Sequence, residues 1–161
     1  MILIALGANL PSPAGPPAIT LEAALQELAG RAITILKRSG FYRSDAWPNP
    51  SDPSFVNAVA AVGTRLAPEQ LLATLHEVEA AFGRRRSLAN APRTLDLDLL
   101  DYDGRVEEGA PQLPHPRIET RAFVLVPLRE VAPDWRHPLS GCSVSELIAR
   151  LPPDGIERLP G

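Results

Sequence analysis

Proline is the residue that most constrains how this chain can fold, because its ring fixes the backbone angle φ and removes the N–H donor. The chain has 18 prolines, and they are grouped: four lie in residues 11–17, three in 48–53, three in 111–116 and two at 152–153. A high proline content can accompany disorder, but apolar segments with helical or strand periodicity alternate with these groups. The sequence therefore predicts a compact domain whose loops are stiffened by proline.

Length and composition are those of an ordinary globular chain. Its 161 residues suit one domain, with 45% hydrophobic and 22% charged residues. The net charge of −3 argues against a general polyanion binder, and the single cysteine, Cys142, suits a reducing compartment. The apolar residues 1–6 are too few to span a membrane and lack the basic flank of a signal peptide. We therefore expect one domain over residues 1–161, in a cytoplasmic protein.

Apolar periodicity predicts five strands and three helices. The strands are expected at residues 2–6, 33–42, 55–62, 95–102 and 122–126. The helices are expected at residues 21–30 with Thr20 as N-cap, at 68–82 with Pro68 in the first turn, and after a capping box of Ser143 and Glu146. Asp103 and Gly104 are typical of a hairpin turn.

The order of these elements indicates the fold class. It begins β-α-β-β-α-β and continues into a C-terminal extension, which is the split βαβ arrangement of ferredoxin-like domains. Strands and helices do not alternate one for one, so a doubly wound parallel sheet is not expected. We predict an α+β fold, a ferredoxin-like sandwich in which helices pack on an antiparallel sheet.

The most informative segment is the acidic strand at residues 95–102. Residues two apart in a strand share a face, at roughly 6.5–7 Å between Cα atoms, so Asp96 and Asp98 lie side by side while Leu95, Leu97 and Leu99 point into the core. Two carboxylates on one face repel each other, and a divalent cation removes that conflict. Magnesium accepts one or two protein carboxylates and completes its shell with water and phosphate oxygens. A solvated edge strand is the alternative interpretation of this segment.

Arginines flank the loop that leads into this strand. Arg84, Arg85 and Arg86 follow the end of the second helix, and Arg93 precedes the acidic strand. Guanidinium groups bind phosphate oxygens bidentately and stay charged. An arginine triplet alone usually forms a solvated patch, but beside two aspartates it indicates phosphoryl transfer. The chain has no P-loop and no protein-kinase motif, so a nucleotide would be held by arginines, metal and loops.

A third cluster lies in residues 113–128. His115 stands between Pro114 and Pro116, and a loop histidine of this kind is more often a surface residue than a catalytic one. Phe123 heads the predicted strand at 122–126, where packing in the core is the ordinary interpretation of a phenylalanine.

Together these segments resemble the 6-hydroxymethyl-7,8-dihydropterin pyrophosphokinase family over nearly the whole chain. Residues 5–10, Ala-Leu-Gly-Ala-Asn-Leu, are similar to the family's A-[IL]-G-[SA]-N-L opening, and Phe-Tyr-Arg at 41–43 and Phe-Val-Asn-Ala-Val at 55–59 fit its middle. The most diagnostic motifs are Arg-Thr-Leu-Asp-Leu-Asp at 93–98 and Leu-Pro-His-Pro-Arg at 113–117, followed by Arg121 and Phe123.

The resemblance implies a reaction and a set of site residues. The pterin hydroxymethyl oxygen attacks the β-phosphorus of ATP and AMP leaves, while Asp96 and Asp98 coordinate two Mg²⁺ ions that bridge the phosphates. The catalytic positions are Arg84, Arg93, Asp96 and Asp98. The positions that match ATP contacts are Glu79, Arg84, Arg93, His115 and Arg121. The positions that match pterin contacts are Ser44, Asp45, Ala46, Phe55, Asn57 and Phe123; the two phenylalanines sandwich the ring and the asparagine reads its polar edge.

The chain departs from the family's pattern mainly in the loop at residues 84–93. This loop is one residue shorter than in well-known members and lacks their tryptophan, while Trp47 stands in the second loop where an aliphatic residue is common. Neither the residues nor the resemblance identifies a general base: Asp98 and a hydroxyl polarised by metal alone are both open. We expect a monomer that acts on small molecules, without a nucleic-acid or membrane partner.

Two other classes of protein remain open from the residues alone. One is a non-catalytic ferredoxin-like module that binds nucleotide or RNA, which would need a basic face and exposed aromatic residues. The other is a metal-dependent phosphohydrolase, in which His115 and the aspartates would be metal ligands. Formation of AMP only in the presence of a pterin alcohol would distinguish a transferase from a hydrolase.

Overall fold

The computed structural model describes residues 1–45, 51, 53–83, 94–152 and 155–160. The strands within these ranges are β1 (Ile2–Ala8), β2 (Ile33–Arg38), β3 (Tyr42–Ser44), β4 (Phe55–Thr64), β5 (Asp96–Tyr102) and β6 (Ile156–Arg158). The helices are α1 (Pro17–Ala29), α2 (Pro68–Ala81), α3 (Ala122–Val131) and α4 (Val144–Ala149), with a short 3-10 helix at Ile118–Thr120. None of the described helices has the length and apolar character needed to cross a bilayer.

The strands form one antiparallel sheet in the order β5-β1-β4-β3-β6, and β2 shares the outer edge of β4 with β3. Strand β4 is ten residues long and pairs with β2 through residues 60–64 and with β3 through residues 55–57. The order β5-β1-β4-β2, with α1 and α2 as the connecting helices, is that of a ferredoxin-like split βαβ sheet. The predicted fold class is therefore confirmed.

The sheet separates two apolar cores. Helices α1 and α2 cover one face, where Leu25 and Leu75 pack with Leu6 and Leu97 of the sheet. Helices α3 and α4 cover the other face, and their residues pack on Leu3, Val59 and Leu100 of the sheet. We call these the first and the second face. The C-terminal extension thus adds a second layer to the ferredoxin-like unit.

Residues 33–42 do not form one strand as predicted, because residues 39–41 separate β2 from β3. The hydroxyl of Ser39 accepts the N–H of Val59 at 3.0 Å and donates to the carbonyl of Gly40 at 2.7 Å. The Ser39 side chain thereby accepts the Val59 N–H of β4, which would donate to a backbone carbonyl if the strand were continuous. The N–H of Ser39 still donates to the carbonyl of Val59 at 2.9 Å, and regular strand pairing resumes at Tyr42.

Residues 122–126 belong to helix α3, so the predicted strand is wrong. The buried residues of this segment recur at helical spacing, at Val124, Leu125, Leu128 and Val131, and they pack on the second face of the sheet. A run of five apolar residues does not distinguish a strand from a buried helix. Phe123 consequently lies in the first turn of a helix, not at the head of a strand.

The element ends agree with the sequence in part. Helix α1 begins at Pro17 with Pro16 as N-cap, so Thr20 is not the cap; its hydroxyl donates inside the first turn to the carbonyl of Pro16 at 3.2 Å. Proline suits the first helical position because the N–H it lacks has no partner there. Helix α2 begins at Pro68 as predicted, and Gly83 follows it with a φ of +84°.

Two further local predictions have different outcomes. Ser143 and Glu146 form the predicted capping box, with Ser143 Oγ accepting from the Glu146 N–H at 3.1 Å and Glu146 Oε1 accepting from the Ser143 N–H at 3.3 Å. Asp103 and Gly104 form a tight turn with positive φ values of 55° and 73°. In the described residues no strand after this turn pairs with β5, so the turn is confirmed and the hairpin is wrong.

Candidate active site

A row of residues crosses four strands at one end of the sheet. Asp96 of β5 lies opposite Gly7 of β1, Gly7 lies opposite Asn57 of β4, and Asn57 lies opposite Tyr42 of β3. Directly opposed residues point to the same face, and Val59, two residues after Asn57, packs in the core of the second face. The row therefore lies on the second face, beside the layer formed by α3 and α4.

The acidic pair has the predicted orientation. Leu95, Leu97 and Leu99 are buried in the core of the first face, while Asp96 and Asp98 are half-buried and point to the second face. Asp98 lies opposite Ala5 of β1. The residues of β1 next to the acidic pair are thus glycine and alanine, which leave the carboxylates room on the sheet surface.

Asp98 contacts two side chains that the segment before α3 supplies. Its Oδ2 lies 3.4 Å from Nη1 of Arg121, and its Oδ1 lies 3.8 Å from Nε2 of His115. Both contacts join a β5 residue to positions at least 17 residues further along the chain. The structure therefore brings the acidic strand together with two residues of the cluster at 113–128.

His115 is held in one tautomer and in its neutral form. Burial, followed by the nearby guanidinium of Arg121, lowers the pKa of His115 from 6.5 to about 4, although Asp96 acts in the opposite direction. Its Nδ1 accepts the N–H of Arg117 at 3.2 Å, so the proton of the neutral ring is assigned to Nε2. The backbone N–H of His115 donates to the carbonyl of Leu100 at 2.9 Å. The ring thus presents a donor toward the acidic pair.

Arg121 joins the acidic pair to an aromatic residue. Its guanidinium carbon lies 5.5 Å from the centroid of the Phe123 ring, within the range of a cation–π contact. Arg121 is the N-cap residue of α3, and Phe123 is half-buried in the first turn of that helix. The start of α3 thereby places a cation and an aromatic face at the same end of the second face.

Asn57 is buried at the centre of the row and its amide is fixed. Nδ2 donates to Ser44 Oγ at 2.8 Å and to the carbonyl of Tyr42 at 3.3 Å. Oδ1 lies 3.4 Å from the place that a Cβ on Gly7 would occupy. Asn57 therefore directs its nitrogen toward β3 and its oxygen toward the space above Gly7.

Two of the other predicted pterin positions, Ser44 and Phe55, lie near this amide. Phe55 lies opposite Ser44 and is half-buried, and its ring edge approaches within 3.9 Å of a Cβ built on Gly7. Asp45 follows Ser44 in the chain and is exposed. Ser44 and Asp45 also line a cleft of about 230 Å³ between β3 and β6. Phe55 and Asn57 therefore lie beside Gly7, and Ser44 holds the amide of Asn57.

Glu79 is placed differently from the other predicted contacts. It lies on α2, is only 2% exposed, and its Oε2 accepts the N–H of Leu97 at 2.8 Å. Leu97 lies between the two aspartates in β5. In this arrangement the Glu79 carboxylate acts on the backbone of the acidic strand, from the first face of the sheet.

Some predicted positions lie outside the described residues. These are Ala46, Arg84 and Arg93, together with Trp47 and the rest of the loop at 84–93. Sequence reasoning missed Gly7, which lies inside β1, beyond the strand predicted at residues 2–6, and opposite Asn57 of β4. A glycine inside an apolar strand is itself a sign of close approach by another group.

The acidic pair suits a hard cation that keeps other ligands. Over residues 1–45, 51, 53–83, 94–152 and 155–160, no group of three or more His, Cys, Asp or Glu residues is placed to enclose a metal. Magnesium does not need such a group, since one or two carboxylates hold it while water and phosphate oxygens complete the octahedron. Asp96 and Asp98 fit that requirement.

Fold and site together define a ferredoxin-like α+β domain with a carboxylate pair, a neutral histidine and a fixed amide on the face opposite α1 and α2. Among solved structures, the fold is similar to Plasmodium falciparum HPPK-DHPS bound to SDX-DHP, with a TM-score of 0.68, 12% identity, and 92% of this chain but 43% of that chain covered.

A family model described as 7,8-dihydro-6-hydroxymethylpterin-pyrophosphokinase (HPPK) matches residues 3–133. The 2-amino-4-hydroxy-6-hydroxymethyldihydropteridine pyrophosphokinase of Pseudomonas aeruginosa is 42% identical, covering 99% of this chain and 97% of that protein. That of Synechocystis is 41% identical, covering 92% and 75%. The chain belongs to the HPPK family.

Proposed function

We propose that this chain transfers a pyrophosphoryl group from ATP to 6-hydroxymethyl-7,8-dihydropterin, giving AMP and the pterin diphosphate in folate synthesis. The reaction is that of the family to which the chain belongs. The observation that carries the proposal for this chain is the placement of Asp98, Arg121 and Phe123 in contact at the end of the second face that also bears Asn57.

We assign the phosphate side of the site to the acidic strand and the segment before α3. Asp96 and Asp98 would hold two Mg²⁺ ions, which neutralise the triphosphate and orient it for in-line displacement. The Nε2–H of neutral His115 donates to a phosphate oxygen without adding charge, and Arg121 adds a cation. Glu79 contributes through the backbone of β5, whose Leu97 N–H it accepts.

Arg84 and Arg93 complete this side of the site in the proposal. They are the first and last residues of the segment 84–93, which precedes the acidic strand in the sequence. Their role in the proposal is to stabilise the charge that develops on the leaving oxygen, because guanidinium groups bind phosphate oxygens bidentately.

We assign the pterin side to the residues around Gly7. A flat heteroaromatic ring needs stacking faces and a few polar groups that fix its orientation. Phe55 and Phe123 supply the faces, and the Oδ1 of Asn57 supplies an acceptor whose orientation Ser44 holds. Backbone groups of Ser44, Asp45 and Ala46 supply further polar contacts.

Two routes are open for the proton of the substrate hydroxyl. It passes to the carboxylate of Asp98, whose Oδ2 lies 3.4 Å from Nη1 of Arg121, or it passes to water from a hydroxyl that the Mg²⁺ ions would polarise without a protein base. We also propose that residues 1–161 act as one monomeric domain in the cytoplasm, on small molecules and without nucleic acid, in keeping with one cysteine and a net charge of −3.

The test is a product assay on the purified chain with ATP, Mg²⁺ and 6-hydroxymethyl-7,8-dihydropterin, in which AMP and the pterin diphosphate are quantified together. We expect both in equal amounts, and neither when the pterin or Mg²⁺ is left out. AMP formation without pterin would indicate a phosphohydrolase instead. Binding of ATP without any product would indicate the non-catalytic module.

A further inference from the structure

We propose that Glu119 and His137 form a positioning contact that holds Arg121 against Asp98 and Phe123. The inference rests on the proposed function, in which Arg121 acts at the phosphate side of the site. Residue His137 lies beyond residues 3–133, the part of the chain that the family model matches. The contact thus joins Glu119, inside the matched region, to a segment outside it.

His137 is a buried, oriented donor. It is 4% exposed, and its Nδ1 accepts the backbone N–H groups of Leu139 and Ser140 at 3.2 and 3.3 Å. With Nδ1 engaged as an acceptor, the ring proton is assigned to Nε2. Nε2 lies 3.2 Å from Oε1 of Glu119. The imidazole therefore presents its N–H to the carboxylate.

The imidazole is itself anchored to strand β5. The Trp135 ring meets it edge-on, with 5.8 Å between ring centroids, and Trp135 Nε1 donates to Oδ2 of Asp101 at 2.8 Å. Asp101 is buried in β5, three residues after Asp98. The backbone of His137 is also fixed, since its N–H donates to the carbonyl of Cys142 at 2.9 Å. Glu119 thus meets a partner whose position is set by the acidic strand.

Glu119 is coupled to Arg121 by a short, hydrogen-bonded turn. It lies in the 3-10 helix Ile118–Thr120, and the N–H of Arg121 donates to the carbonyl of Ile118 at 3.3 Å. Ile118 is buried in the core of the second face and its N–H donates to the carbonyl of His115 at 3.3 Å. Movement of this turn would therefore displace Arg121 and His115 together.

A role in stability alone would predict a different result from a positioning role. The Glu119 side chain is 43% exposed, but its partner His137 is 4% exposed, so Glu119→Ala leaves a buried N–H without this acceptor and should lower the melting temperature. A loss of stability alone would not depend on Arg121, so the result specific to positioning is a rate loss that disappears when Arg121 is alanine. Glu119 is a positioning residue in this proposal, because it acts through Arg121.

The experiment is a double-mutant cycle with Glu119→Ala, Arg121→Ala and the double variant, in single-turnover assays with ATP, Mg²⁺ and the pterin. At a temperature well below the melting transition of every variant, we expect Glu119→Ala to slow transfer about fivefold to tenfold, and to have no further effect on the rate once Arg121 is alanine. Glu119→Gln keeps an acceptor oxygen and should retain most of the rate. The matched control is Glu108→Ala, which removes the same charge from an exposed position and should leave the rate unchanged.

Two results would overturn the inference: rate losses that multiply in the double variant, or a Glu119→Ala rate equal to that of the unmodified chain. A second readout does not need activity. In NMR spectra, the Arg121 guanidinium Nε–H signal should sharpen and its order parameter fall in Glu119→Ala but not in Glu108→Ala. If the unmodified chain forms no pterin diphosphate, the proposed function fails, while the NMR comparison still decides whether Glu119 holds Arg121.

Discussion

Nη1 of Arg121 lies 3.4 Å from Oδ2 of Asp98, although 22 residues separate the two in the chain. The same guanidinium lies over the ring of Phe123. One side chain therefore contacts both a proposed metal ligand and a proposed stacking face for the pterin. In the proposed reaction the two substrates meet at this place, so a change at Arg121 or its partners should affect transfer more than folding.

We predict that Asp96→Asn or Asp98→Asn lowers the transfer rate by about a hundredfold or more, because each removes a charged ligand from the proposed Mg²⁺ site. We expect little change in the melting temperature, because relief of the repulsion between the two carboxylates offsets the loss of charge attraction, such as that between Asp98 and Arg121. Single-turnover assays at saturating Mg²⁺ provide the measurement. Asp134→Asn, at an exposed position, is the control. A normal rate in either of these two variants would show that the substituted aspartate is not a metal ligand.

We predict that Asn57→Ala weakens pterin binding by about 1–3 kcal/mol and leaves ATP binding nearly unchanged. The amide is buried, and its loss removes an oriented acceptor on the pterin side of the site. Isothermal titration calorimetry with each ligand separates the two effects. Ser44→Ala removes one partner of Asn57 at 2.8 Å and should give a smaller loss of the same kind. Equal losses of affinity for ATP and for the pterin would show that the pterin side of the site has been assigned to the wrong residues.

Gly7→Ala should fold normally and bind the pterin poorly. The added Cβ would meet Asn57 Oδ1 at 3.4 Å and the Phe55 ring at 3.9 Å, which are tolerable contacts, but the methyl group would occupy the floor of the proposed pocket. Gly63→Ala is the matched control: its Cβ would meet only the Leu36 side chain at 3.6 Å or more, away from the site. We expect similar melting temperatures and at least a tenfold difference in pterin Kd, about 1.4 kcal/mol. Equal pterin affinities would contradict the assignment of Gly7.

The stability of the fold should fall at acid pH through Glu130. Burial alone would raise the pKa of Glu130, but hydrogen bonds from Tyr42, Arg158 and the Gly40 N–H hold it below its ordinary 4.5. A carboxyl whose folded pKa is depressed adds stability above the unfolded pKa and loses it as pH falls through the folded value. We therefore expect Glu130→Gln to reduce stability near pH 7 and to flatten its loss below pH 4.5.

Urea denaturation at pH 7 and at a series of values below 4.5 tests this expectation. Glu108→Gln, at an exposed position, is the control and should follow the unmodified chain at every pH. If Glu130→Gln retains the full acid dependence, other carboxyl groups account for it. The hydrogen bonds of Glu130 also join β3 and β6 to α3, because Glu130 lies in α3, Tyr42 in β3 and Arg158 in β6.

The sequence alone was sufficient to predict those features that depend on a single short segment. The alternation of residues 95–102 determined that the leucines are buried and that Asp96 and Asp98 share the other face, because side chains of a strand alternate. The capping box at Ser143 and the start of α2 at Pro68 depend on contacts within four residues. The motifs in residues 93–98 and 113–117 were enough to identify the family.

Tertiary structure decided the rest, because those features depend on contacts between distant segments. Residues 122–126 are helical since one side of α3 packs on the second face of the sheet, and a short apolar run carries no such information. Gly7 lies at the candidate site because the register of β1 with β4 and β5 places it between Asn57 and Asp96. The neutral form of His115 follows from burial and from the charge of Arg121, neither of which the sequence displays. The sequence thus supplied candidate site residues, while their arrangement and the neutral form of His115 depended on the packed sheet.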